Sequence, residues 1–270
     1  MKVLFCLETT YAFEPAAEGH VFRLRASPPS CTRQRVISAA LTVTPSANCA
    51  ELVEPPFGNR VLTGRIDAPH STFSFLSKGE ALILPDRFDT VHGPGWLAFP
   101  SPLTRPGPAL EALAKDLGSL PDDAEERIAR IHACAHGALV YAPGETSTAT
   151  TAEEALRTGR GVCQDYSHVM LALLRMKGVA GRYVAGLVAG TGETHAWVEA
   201  WTGERWLPLD PTSGLLCATN HLALARGADF TQAAIERGVF SQVRFQSIRT
   251  TASLTPVEPL FTKCAAALPH

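Results

Sequence analysis

"GRGVCQDYSHVM", Gly159–Met170, sets one cysteine between a glycine-bracketed turn and the first turn of a helix. Beyond it Tyr166, Val169, Met170, Leu173 and Leu174 recur at i, i+3, i+4, i+7 and i+8, which predicts one buried helical face. Arg175 and Lys177 suit a last turn, and Gly178 suits the left-handed residue that ends a helix. The pattern predicts a helix from Val162 to Lys177 with Cys163 at its start. A cysteine used only for packing needs no such setting. A nucleophile gains from it, because the thiolate is the reactive form and the unpaired N–H groups of a helix N-terminus favour it. The N–H of Cys163 is also free to face a developing oxyanion.

Three strand-like runs follow, "RYVAGLVA", "HAWVEAW" and "RWLPLD". Alternation puts His195, Trp197, Glu199 and Trp201 on one face. "TGER" reads as a hairpin turn with Gly203-Glu204 at its tip. That register opposes Trp197 to Asp210 and His195 to Thr212, so His195 and Asp210 become diagonal neighbours on one face, with Cβ atoms about 7 Å apart. A one-residue change in the turn would move Asp210 to the other face. Thiol, imidazole and carboxylate have complementary tasks. The imidazole takes the thiol proton, the carboxylate orients the imidazole, and the imidazolium protonates the leaving amine. Each residue also has a plain reading. A cysteine at a helix start can be packing, a lone strand histidine can be half-buried structure, and Asp210 before Pro211 can be a turn residue. Their meeting in one geometry is what points to catalysis. His168, five residues after Cys163, falls off its helical face and reads as structural. His132 and His136 at i, i+4 could share a metal, but no neighbouring carboxylate completes an HExxH-type site, and no metal is expected. Trp197, Trp201 and Trp206 read as core or pocket wall, and Glu199 as either cleft-lining or solvated.

The chain has 270 residues, 46% hydrophobic and 19% charged, with net charge −2. This is enough for one large domain or two ordinary ones. No basic stripe or polybasic run occurs, so neither a nucleic acid nor a membrane surface is an expected partner. The N-terminal apolar run Val3–Leu7 is five residues long, below the roughly 7 of a signal-peptide core, and a cytoplasmic protein is expected. Seven cysteines, at 6, 31, 49, 134, 163, 217 and 264, are odd in number, widely spaced and without CxxC. They predict neither a disulfide framework nor a cysteine zinc site.

Residues 1–100 alternate apolar and polar in "HVFRLRAS" and "TFSFLSKGEALILP" and carry β-formers in "RVISAALTV". They predict a small antiparallel, sandwich-like all-β domain with nothing in it that suggests chemistry. A Pro- and Gly-rich stretch over Asp86–Pro108 marks the connection, and residues 101–270 form the second expected domain. Its helical runs are Ala109–Leu117, Asp123–His136 and "TAEEALRTG", the last opening with Thr151 and Glu154 at capping-box spacing.

The blocks "GRGVCQDYSHVMLALLRMKGVAGRYVAG", "HAWVEAW" and "LPLDPTSG", in this order, resemble the transglutaminase-like superfamily, in its bacterial cysteine-peptidase group. The resemblance runs from Leu110 to Phe240, and the β-rich start resembles the N-terminal region of that group. It implies a papain-related α+β core, with the nucleophile helix packed on an antiparallel sheet. It also implies Cys163 as nucleophile, His195 as base and acid, Asp210 as orienter, a peptide or protein substrate, and no cofactor. Departures are Tyr166-Ser167 for a usual Phe-Ala, Ala180-Gly181 for Pro-Ala, and Leu187 for a common aromatic. They suggest an altered cleft or a looser helix-to-strand connection. The resulting expectation is a cysteine-dependent acyl-transfer enzyme, hydrolytic rather than cross-linking. A non-catalytic peptide-binding module and an arylamine-type acetyltransferase are the alternatives.

Overall fold

The computed structural model describes residues 1–217 and 220–257; Cys264 and the end of the expected second domain lie outside them. Strands β1 (Lys2–Ser27), β2 (Gln34–Thr44), β3 (Asn48–Glu54), β4 (Asn59–Ile66) and β5 (His70–Ile83) open the chain. The run Val3–Leu7 buries alternate residues of β1, with Val3, Phe5 and Leu7 inside and Leu4 exposed. β1 is long enough to serve two layers. Its first half pairs antiparallel with β5 and its second with β4. The register with β5 shifts between Ala12 and Ala17, and Gly19 nearby takes φ +60°, which costs glycine little. The two halves close over a core that includes Phe5, Phe13, Phe22, Phe73 and Phe75.

The second half of the chain begins with helices α1 (Pro108–Asp116) and α2 (Ala124–Gly137), strand β6 (Val140–Tyr141), helix α3 (Ala152–Thr158), strand β7 (Arg160–Gly161) and helix α4 (Cys163–Met176). The expected capping box forms, and a further cap joins it. The Asp123 carboxylate accepts from Glu126 N–H, Thr151 and Glu154 cap α3 reciprocally, and Gly159 at φ +68° ends it. Then come β8 (Gly181–Val188), β9 (Gly190–Gly192), β10 (His195–Trp201), β11 (Trp206–Asp210), β12 (Leu215–Leu216), β13 (His221–Gly227) and α5 (Phe230–Ala233). The second sheet has the order β12-β11-β10-β8-β13 and is antiparallel throughout. Helix α4 covers one face, its Val169, Leu173 and Leu174 sharing a core with Ala196, Val198 and Ala200 of β10. A Cβ on Gly181 would lie 2.7 Å from a Leu171 methyl, so this glycine lets helix and sheet approach closely.

The chain then returns. β14 (Glu236–Ser241) pairs with the second half of β1, and β15 (Phe245–Pro256) pairs with the first half from Glu14↔Phe245 to Val3↔Pro256. β9 adds to the far edge of β15. The boundary expected at residue 100 thus marks where the helices begin, not where the first sheet ends. A strand as long as β1 exposes a row of N–H and C=O groups on each edge. β5 satisfies one edge of its first half, and the partner for the other comes from the end of the chain. Leu187, Leu222 and Leu224 of β8 and β13 pack into the phenylalanine-rich core, so the two sheets are joined by apolar contact.

Candidate active site

Helix α4 starts at Cys163 because the turn before it is clamped. Gly161 is buried against Asp165, and a Cβ there would lie 2.6 Å from the Asp165 Cβ. Asp165 Oδ2 accepts from Val162 N–H at 2.8 Å and from the Thr146 hydroxyl at 2.7 Å. Burial pushes the Asp165 carboxyl up, and these two hydrogen bonds hold it back. As the first helical residue, Cys163 keeps an N–H without an intrahelical acceptor. The two departures beside it have tasks. Tyr166 donates its hydroxyl proton to Leu139 O at 2.7 Å, and Ser167 donates to Cys163 O at 2.8 Å.

The β10–β11 hairpin has the register the Gly203-Glu204 tip predicts, Trp201↔Trp206 through Val198↔Leu209. It carries Asp210 to His195, whose Nε2–H donates to Asp210 Oδ2 at 3.0 Å. Cys163 and His195 line one cleft of about 300 Å³. Burial disfavours charge on His195, but the Asp210 hydrogen bond and the neighbouring Cys163 more than offset it, and the imidazole is pushed up to about 10. Burial would raise Asp210, but hydrogen bonding to His195 and Ser213, with the His221 ring close by, holds it well below the usual carboxylate range. Its Oδ1 accepts from Thr212 N–H at 2.9 Å, and its Oδ2 from the Ser213 hydroxyl at 2.9 Å.

Several residues here were not singled out by the sequence. His221 of β13 brings its Nε2 to 3.4 Å from Asp210 Oδ2. Its strand is distant in sequence and separated from β10 by β8, so no local pattern could have placed it. Tyr11 and Phe75 from the first sheet and Thr250 from β15 form a wall of the cleft. His132 and His136 use their i, i+4 spacing to hold the turn after β11, donating to Asp210 O at 3.0 Å and to Pro211 O at 2.9 Å. His168 is buried and accepts from Phe230 N–H at 3.2 Å, a structural task. Glu199 is not solvated. It is buried between Arg182 and Arg226 on the sheet face away from α4.

Residues 111–211 match the Transglutaminase-like superfamily core, and residues 6–81 match the Bacterial transglutaminase-like N-terminal region. An uncharacterised protein of Mycobacterium leprae is 28% identical over 262 residues, covering 86% of this chain and 91% of its own. An uncharacterised protein of Mycobacterium tuberculosis is 25% identical over 266 residues, covering 86% of this chain and 85% of its own. The crystal structure of a candidate cysteine protease from Cytophaga hutchinsonii superposes with TM-score 0.76 at 21% identity, over 96% of this chain and 93% of that one, and shows the same fold. With both regions matched in this order, the chain carries a transglutaminase-like superfamily core preceded by the bacterial transglutaminase-like N-terminal region.

Proposed function

We propose that this protein is a cysteine-dependent acyl-transfer enzyme acting on peptide or isopeptide amides. Cys163 is the nucleophile, His195 the base and acid, and Asp210 the orienter. The observation that supports this reading is the buried Asp210 carboxylate on one imidazole nitrogen of His195, with the Cys163 thiol beside the ring at a helix start. The Cys163 thiolate attacks the amide carbonyl carbon, and the oxyanion that forms faces the Cys163 N–H. The imidazolium gives its proton to the amine as the C–N bond breaks, leaving an acyl-thioester. His195 then takes a proton from water, whose oxygen attacks the thioester and releases the acid and the thiolate. No step in this scheme requires a metal or an organic cofactor. An amine in place of water would give cross-linking. We favour water because the resemblance is to the bacterial peptidase group. Six free thiols among the described residues fit a reducing compartment, and we propose the cytoplasm.

Alkylation rates measured at each cysteine against pH, by mass spectrometry, test the first step. Cys163 should react fastest of the cysteines at neutral pH and slow in His195→Ala. Amide cleavage in a peptide pool, with and without an added alkylamine, then separates hydrolysis from transfer. A Cys163 no faster than the exposed Cys49 would sink the reading.

A further inference from the structure

On the sheet face away from α4, a second cavity of about 560 Å³ opens between the second sheet and the loops after β1, β3 and β5. It shares no lining residue with the Cys163 cleft. Its floor is charged. Glu199 accepts from Arg226 Nε and Nη2 at 2.9 and 3.0 Å, and from Arg182 Nε. Arg182 Nη2 reaches Asp89 at 3.0 Å, and its guanidinium stacks 4.2 Å from the Trp206 ring centroid. These two guanidiniums meet two carboxylates. Arg33 is the third cation on the wall, and its partners are the backbone carbonyls of Pro85, Arg87 and Cys217. Burial pulls its pKa below the ordinary value, with Glu199 offsetting this only in part. Among the described residues the cavity therefore carries one positive charge in excess, held partly out of water. Phe57, Val91 and Trp206 supply apolar wall. A concave site of this size, mostly apolar with convergent polar groups and set between structural units, is the usual form of a small-molecule site.

We propose that this cavity binds a small organic monocarboxylate, its carboxylate on the arginine wall and its apolar body against Phe57 and Trp206. One negative charge balances the excess, and the planar guanidinium fork matches a carboxylate in shape. The site lies on the β10 face opposite the one α4 covers, and the proposal does not depend on the activity argued above.

Cys31 lines the cavity, with its Sγ 3.7 Å from Arg226 Nη2, and provides a reporter in the intact wild-type chain. Iodoacetate is itself a small monocarboxylate and iodoacetamide its neutral counterpart. In both, the cysteine sulfur forms a bond to the methylene carbon as iodide leaves. Rates are read at each cysteine by mass spectrometry. The iodoacetate-to-iodoacetamide rate ratio at Cys31 should exceed that at exposed Cys49 by about tenfold, through local concentration of the anion. It should saturate with iodoacetate, fall when benzoate is added, and stay unchanged with benzamide. Arg33→Gln should bring the ratio down to that of Cys49. Should that variant fail to fold by circular dichroism, the benzoate and benzamide pair on the wild type still decides. Equal ratios at Cys31 and Cys49, equal protection by benzoate and benzamide, or protection by inorganic phosphate matching that of benzoate would overturn the proposal.

Discussion

Asp210 gathers its contacts into one buried carboxylate, with His195, Ser213 and Thr212 donating to it and the His221 ring close by. Asp210→Asn keeps the shape but offers an amide where the imidazole N–H needs an anion. Amide-cleaving activity and Cys163 alkylation at neutral pH should both fall by about two to four orders of magnitude, with the fold intact by circular dichroism. A second prediction follows from His195. Its folded pKa, about 10, lies above the unfolded value of 6.5, so its contribution to stability is full below pH 6.5 and is lost as pH rises through about 10. Denaturant midpoints should show a decline over that window, and His195→Gln should flatten it. An unchanged slope would mean that the imidazole is not held as a cation by Asp210 and Cys163.

Whole elements hold that geometry. The β10–β11 register depends on a two-residue tip, which the sequence displays as "TGER". The end of β11 is held from outside the hairpin, by His132 and His136 of α2. Their spacing was legible, but it suits a metal and a pair of carbonyls equally well, and only the packing of α2 against the sheet decides between them. His132→Ala would remove one of the two close donors to the buried Asp210 carbonyl, leaving the Gly214 N–H at 2.9 Å, at a cost of about 0.5–1.5 kcal/mol. The expected outcome is a modest drop in melting temperature and a larger loss of kcat than of substrate affinity, because Asp210 shifts relative to His195. Arg175 makes the same point at the other end of α4. Its place in the last turn suggests a residue paired with the helix dipole. The structure buries it, donating to Leu97 O, Ser101 Oγ, Gly181 O and Ala228 O and tying α4 to the connector and the sheet.

For the whole molecule, the dependence of the first sheet on β14 and β15 has a direct consequence. A chain ending at Ala234 would leave both halves of β1 with unpaired edges and would remove Thr250 from the cleft wall. Gel filtration should show aggregation and circular dichroism a loss of cooperative melting. The same sheet buries a histidine pair, His20 Nδ1 and His70 Nε2, 3.1 Å apart among phenylalanines. Burial, and next the charge of His70, push His20 down to about 4. The unfolded chain protonates first, so this contribution to stability is present above pH 6.5 and lost as pH falls towards 4. His20→Phe should therefore reduce the acid sensitivity of unfolding between pH 6.5 and 4, measured against the wild type.

Local chemistry alone determined the helix that Cys163 opens, the caps of the helices around it, and the hairpin that brings Asp210 beside His195. Each of these is set by contacts within about twenty residues, where periodicity, glycine conformation and turn length act directly. Tertiary structure decided what joins across the chain: the return of β15 to β1, the approach of His221 to Asp210, the first-sheet wall of the cleft, and the arginine-lined cavity. These pairings are chosen by which buried edges and charges find partners once the sheets pack. A strand's own residues state that it needs a partner, but not which distant segment supplies one.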